Sequence, residues 1–367
     1  MAVPLMDLTR QYHSLKPEID AALLRVFEHS KFVLGPEVSG FEAAVAQKLG
    51  VKHVVGVASG SDALILGLHA VGVGPGDEVI VPAFSFFASA GSVSRLCARP
   101  VFCDIRPDDY NIDPNGIEKL ITPKTKAIMP VHLYGQLADM DPIKAIADTH
   151  GIPIVEDAAQ AIGATYKGTP AGRWGRVGCF SFFPTKNLGA AGDGGMVTSD
   201  DDHAADQVRL LRTHGARPKY YHKLIGFNSR LDALQAALLN VKLAHLDAWT
   251  ERRRAIADVY DRELAGVGDL VPPKRLPDRY HIFHQYTLST SRRDALRDHL
   301  KSKNIGIEVY YPVPLHLQEC YADLGGKPGD LPVAEKAAQT VFSIPIFPDM
   351  TESEQAEVID AIKSFYA

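Results

Sequence analysis

A chain of 367 residues has room for one large domain and a smaller one, and 46% apolar with 23% charged residues is the make-up of a globular protein rather than a disordered one. Its 39 basic and 44 acidic side chains leave a net charge of −5, which offers no positive footprint to nucleic acid or to an anionic membrane surface. No apolar run approaches the ~18 residues that span a bilayer, and the first ten residues lack the basic-then-apolar plan of a signal peptide. The four cysteines, Cys97, Cys103, Cys179 and Cys320, form no CxxC pair, so a cytoplasmic chain with reduced thiols is expected. His281 and His284 lack the partners of a metal motif, and no metal is expected.

In chain order, short β-branched runs alternate with amphipathic stretches from about Val51 to Thr198, the pattern of βαβ units and a mainly parallel sheet covered on both faces. Strands are expected at His53–Val57, Glu78–Val81, Arg99–Cys103, Ala127–Val131, Pro153–Glu156, Gly178–Phe182 and Gly195–Thr198. Helices are expected at Ser61–Val71, Ala88–Arg95, Pro114–Leu120 and Pro142–His150, with Ser59 placed to cap the first. One long helical stretch, Leu231 to Leu264, then ends before the Val271-Pro272-Pro273 segment. A strand near Gln285–Leu288 and helices at Arg293–Lys303 and Ser353–Phe365 fill a second domain.

The chemistry is expected where strands end. No GxxxxGK[ST] or GxGxxG occurs, which removes the common nucleotide loops. Lys186 follows a buried strand and precedes Gly189, Gly192, Gly194 and Gly195; it is either a solvated surface lysine or a desolvated amine able to form a Schiff base. Asp157 closes the strand of Ile152–Glu156, either as a local cap or as the partner of a pyridinium nitrogen, with Gln160 three residues on. The SGSDAL turn at Ser59–Leu64 is an ordinary capped helix start or a phosphate seat. The aromatics Phe84, Phe86 and Phe87 belong to the core or stack on a flat ring.

Taken in order, SGSDAL, the aromatic after the next strand, VEDAAQ (155–160) and SFFPTKNLGAAGDGG (181–195) resemble the fold-type I pyridoxal-phosphate enzymes. With Gly35-Pro-Glu-Val38, GFNSRLDALQ (226–235) and Tyr311-Pro-Val-Pro-Leu-His316, the chain is similar over nearly its whole length to the DegT/DnrJ/EryC1/StrS family of nucleotide-sugar aminotransferases.

The resemblance implies an α/β fold: a large domain, residues 1–240, with a mainly parallel seven-stranded sheet between helices, and a smaller C-terminal α+β domain, residues 241–367. It implies pyridoxal 5′-phosphate as cofactor, with Lys186 carrying it and acting as acid and base, and Asp157 on the ring nitrogen. Gln160 would contact the ring, Phe86 rather than Phe84 would stack on it, and Gly60, Ser61 and Ser181 would hold its phosphate. Asn228 would reach that phosphate from the neighbouring subunit of a homodimer. Dehydratase relatives carry histidine at the lysine position, so Lys186 favours transamination from L-glutamate to a nucleotide-linked keto sugar. The Lys219-Tyr220-Tyr221-His222 segment is similar to members that aminate 3-keto sugars, and Tyr220, His222, Arg230, Tyr311 and His316 are the substrate-site candidates. A 4-keto sugar transaminase and a pyridoxal-phosphate-binding regulatory protein are the alternatives.

Overall fold

Short runs rich in valine, isoleucine and small residues can be buried on both faces only within a sheet, and they form its strands here. In the computed structural model, which describes residues 3–367, these are β1 (His53–Val57), β2 (Glu78–Pro82), β3 (Arg99–Cys103), β4 (Thr125–Ile128), β5 (Val155–Asp157), β6 (Val177–Ser181) and β7 (Gly195–Ser199). β2 pairs in parallel with β3 and β4, and β5 with β6. Bridges from Ile128 to Ile154 and from Val131 to Asp157 join the two halves. β7 lies antiparallel between β6 and β1. The spatial order is therefore β3-β2-β4-β5-β6-β7-β1, with every strand but β7 running the same way. That topology delivers the carboxyl ends of β1, β2, β5 and β6 to one edge, where α/β sheets bind ligands.

The helices cover this sheet as their apolar spacing demands. α1 (Leu8–His29) and α2 (Pro36–Leu49) stand outside the expected elements, and Leu15, Ile19, Ala22 and Val26 form one buried face of α1. α3 (Gly60–Ala70) is apolar nearly all round and is buried from Ala63 to Leu68, with Gly67 leaving room for the Cys179 thiol. α4 (Ala88–Arg95), α5 (Met140–His150) and α6 (Asp202–Leu211) begin or end within two residues of expectation or fill unassigned stretches. The expected single helix from Leu231 to Leu264 is instead two, α7 (Ala233–Leu243) and α8 (Leu246–Leu264). No proline or glycine marks the break. Side chains near the end of α7 tie it to neighbouring segments, Lys242 Nζ donating to the Gly189 carbonyl (2.8 Å) and Asn240 to that of Glu37 (3.0 Å).

α8 carries the chain from one core to another. Its Leu246 packs with the sheet's core, while Ile256, Ala257, Tyr260 and Leu264 pack with Phe283, Tyr286, Phe342 and Val358. This second core holds β8 (Tyr286–Ser289) antiparallel to β9 (Val341–Ile344), with α9 (Arg293–Ser302), α10 (Pro332–Thr340) and α11 (Glu352–Tyr366) around it. The buried Arg253 guanidinium is stabilised by the carbonyls of Phe283 (3.2 Å), His284 (3.3 Å) and Ile346 (2.7 Å). The N-terminal arm crosses to this core: Val3 bridges to Ile305, and Arg10 grips the Glu354 carboxylate with two hydrogen bonds of 2.9 and 2.7 Å. Among the described residues no helix is long and apolar enough to cross a membrane.

Candidate active site

Four strand ends converge, and each contributes a different chemical group. After β1, Ser59 caps α3: its hydroxyl accepts the Asp62 amide (3.1 Å), as the sequence suggested. The amides of Gly60 and Ser61 are left without helical partners at the positive end of the helix dipole. A Cβ on Gly60 would lie 2.5 Å from the Ser181 Cβ, and one on Gly195 would lie 2.4 Å from the Ser59 carbonyl oxygen. Only glycine lets the end of β6 approach the helix start this closely. Gly60, Ser61 and Ser181 thus form a small cradle of amides and hydroxyls suited to an anion.

β5 ends in two acids that alternate across the sheet. Glu156 faces away from the edge, accepting from the amides of Gly172 (2.8 Å), Trp174 (2.7 Å) and Gly175 (2.7 Å) and pairing with His132 (2.8 Å), which makes it a structural residue. Asp157 is buried; its Oδ2 accepts from the Ser89 hydroxyl (2.6 Å) and its Oδ1 from the Ala159 amide (3.2 Å). Desolvation raises its carboxyl above the usual range, opposed by the Ser89 and Ala159 hydrogen bonds and the charges of Lys186 and His132. Lys186 sits on the turn after β6. Desolvation pushes its ammonium down to about 8, against the upward pull of Asp157. Its Nζ has no hydrogen-bond or ion-pair partner among the described residues. A half-buried, desolvated amine without a partner and a buried carboxyl facing hydrogen-bond donors are the donor set that a pyridine aldehyde requires, so these residues fit pyridoxal phosphate.

Gln160 is fixed at both ends, accepting from the Tyr134 amide (2.7 Å) and donating to the Tyr311 hydroxyl (3.1 Å). Phe84 is 1% exposed and belongs to the core, whereas Phe86 is 57% exposed, with its ring 6.1 Å from that of Tyr311. The ring with a free face is therefore Phe86.

The substrate candidates are more scattered. Tyr311 joins the crevice through Gln160 and Phe86. Tyr220 stands on an exposed loop, His222 directs Nδ1 at the His214 carbonyl (2.8 Å), and Arg230 is hydrogen-bonded to Asn228. None of Tyr220, His222, Arg230 or Asn228 has a hydrogen bond or ion pair with Asp157, Gln160 or Lys186 among the described residues. His316 is buried and bound to Glu335 (3.1 Å), whose carboxylate also accepts the Gly329 and Leu331 amides. The structure ties it to that loop instead of the crevice.

Other residues at the crevice carried no signal in the sequence. Ser89 supports Asp157, Tyr134 orients Gln160, and His284 pairs its Nδ1 with Asn187 (3.0 Å) beside Lys186. Desolvation, with the Lys186 and Arg253 charges, keeps His284 neutral.

A mainly parallel sheet with a phosphate seat, a buried acid and a free amine at one edge defines a pyridoxal-phosphate-dependent enzyme of fold type I. The chain belongs to the DegT/DnrJ/EryC1/StrS aminotransferase family, whose model matches residues 13–363. It is an aminotransferase, and its cofactor is pyridoxal 5′-phosphate. It is 54% identical to a Geobacillus stearothermophilus protein named pleiotropic regulatory protein, over 100% of this chain and 99% of the other. It is 47% identical to the dTDP-3-amino-3,4,6-trideoxy-alpha-D-glucose transaminase of Streptomyces venezuelae, over 99% and 96%. The crystal structure of S. venezuelae DesV in complex with a ketimine intermediate superposes with a TM-score of 0.97 at 47% identity, covering 100% of this chain and 98% of that one.

Proposed function

We propose that this chain transfers an amino group from L-glutamate to carbon 3 of a nucleotide-linked keto sugar, dTDP- or UDP-linked, in cytoplasmic amino-sugar biosynthesis. The observation that carries the reading is Lys186, a half-buried amine without a hydrogen-bond partner and within electrostatic reach of Asp157, in a chain 47% identical to a named 3-amino-sugar transaminase. When bound, the cofactor supplies an electron sink conjugated to the reacting carbon.

The protein's residues divide the remaining work. Lys186 Nζ would hold the cofactor and would accept a proton and return it, a role suited to an amine lowered to about 8. Asp157 would pair its carboxylate with the protonated ring nitrogen, an attraction between opposite charges that a dry site strengthens. Gln160 orients the ring, Phe86 covers one face, and Gly60, Ser61 and Ser181 hold the phosphate. Asn228 serves a neighbouring subunit, which accounts for its separation from the crevice within one chain. Tyr311 would meet the sugar in the crevice, and Tyr220, His222 and Arg230 would meet substrate across a homodimer.

The regulatory name of the 54% identical relative gives a rival reading, a cofactor-binding protein without turnover. Addition of L-glutamate to the loaded protein separates the two: conversion of the bound cofactor to its pyridoxamine absorbance supports catalysis, and an unchanged spectrum refutes it. Incubation with 3-keto and 4-keto nucleotide sugars, followed by NMR of the product, then locates the new amine. Amination at carbon 4 would overturn the proposed regiochemistry alone.

A further inference from the structure

We propose that Ser89, backed by Ser85, is a positioning residue for transamination, donating its hydroxyl proton to Asp157 so that the carboxylate stays ionised and fixed toward the crevice. The inference rests on the reading that Asp157 pairs with the cofactor's ring nitrogen.

Three buried polar residues stand in series. Ser85 is 3% exposed, Ser89 0% and Asp157 5%. The Ser85 and Ser89 hydroxyl oxygens are 2.8 Å apart, and the Ser89 hydroxyl lies 2.6 Å from Asp157 Oδ2. An ionised carboxylate can only accept, so Ser89 must donate to it, and Ser85 must then donate to Ser89. The chain of dipoles points one way and strengthens each member in a low dielectric. Oδ1 has its own donor in the Ala159 amide (3.2 Å), so the carboxylate is held at both oxygens and cannot rotate freely.

The construction is economical in sequence. The Ser89 amide donates to the Phe86 carbonyl (3.2 Å) at the start of α4, so one turn presents an exposed ring and, three residues later, the buried hydroxyl. Without Ser89, burial would favour a proton on Asp157 over a proton on the ring nitrogen, and the ring would lose its pull on electrons.

The test uses full-length apoprotein titrated with pyridoxal phosphate and with an analogue in which C–H replaces the ring nitrogen. Ser89→Ala is expected to weaken pyridoxal phosphate roughly 10- to 100-fold, the range of one hydrogen bond to a charged group, while the analogue's affinity stays the same. Ser89→Thr restores the difference, and Ser85→Ala reproduces a smaller part of it. In turnover, Ser89→Ala lowers kcat and leaves the sugar KM unchanged. Equal weakening of both ligands by Ser89→Ala, or no weakening of either, overturns the proposal. Should Ser89→Ala fail to fold, Ser85→Ala decides by the same comparison. Asp157→Asn separates this from the underlying reading: if it retains the wild-type preference for the nitrogen-bearing ring, the pairing of Asp157 with that nitrogen fails, and the proposal with it. If Asp157→Asn abolishes that preference while Ser89→Ala keeps it, the role of Ser89 alone fails.

Discussion

A desolvated ammonium group without a partner destabilises a fold, and for the half-buried Lys186 the size of that effect depends on pH. Its folded value is about 8 and its ordinary value 10.5. Between those limits the unfolded chain holds a proton that the folded chain has lost, so stability rises with pH across the window and the penalty is full below about 8. The apoprotein carrying Lys186→Met is therefore expected to be more stable than wild type at pH 7, by a few kcal/mol at most. The two should converge toward pH 10.5, as read from urea midpoints. Lys242, also lowered to about 8, is present in both proteins and cancels. Asp157→Asn preserves shape and the acceptor for the Ala159 amide, so kcat is expected to fall at least ~100-fold while the melting temperature moves by only a few degrees. Comparable losses in both would return Asp157 to a capping role. These two residues were legible because Asp157 terminates a strand and Lys186 follows one just before a glycine-rich turn. Ser89 and His284 were not, since their partners lie 68 and 97 residues away and only the folded sheet brings them together.

At the level of elements, the seven strands could be read from their β-branched runs, and the start of α3 from Ser59. The break between α7 and α8 could not, because no helix-breaking residue marks it and the local sequence favours helix straight through. The same distinction predicts how the phosphate seat responds to change. Alanine is a better helix former than glycine, so propensity alone would make Gly60→Ala stabilising by up to ~1 kcal/mol. The structure predicts the opposite for function: the added Cβ meets the Ser181 Cβ at 2.5 Å and forces the helix start away from β6. The expected result is at least a ~10-fold loss of pyridoxal-phosphate affinity, the equivalent of one displaced hydrogen bond to an anion. Equilibrium titration of the apoprotein measures it, and wild-type affinity would show that Gly60 is not part of the seat.

The whole molecule leaves apolar side chains where one chain alone has no use for them. Leu24, Phe27, Phe32, Val33 and Leu34 are 38–61% exposed along the end of α1 and the following loop, and Ile225 beside Phe227-Asn228 is 93% exposed. We propose that this exposure serves association, since large grouped apolar surfaces favour it, and a symmetric dimer would pair the same patches across a two-fold axis. The proposed sharing of Asn228 makes this testable by subunit exchange. Lys186→Ala and Asn228→Ala proteins are each expected to be inactive or nearly so. In a hybrid dimer one site would receive intact Lys186 from one subunit and intact Asn228 from the other, while its twin would receive both substitutions. Random pairing at equal concentrations makes half the dimers hybrids, each with one of two sites restored, so about a quarter of wild-type activity should return. If Asn228 served its own subunit's site, no hybrid would hold an intact pair, and the mixture would stay as inactive as its parents.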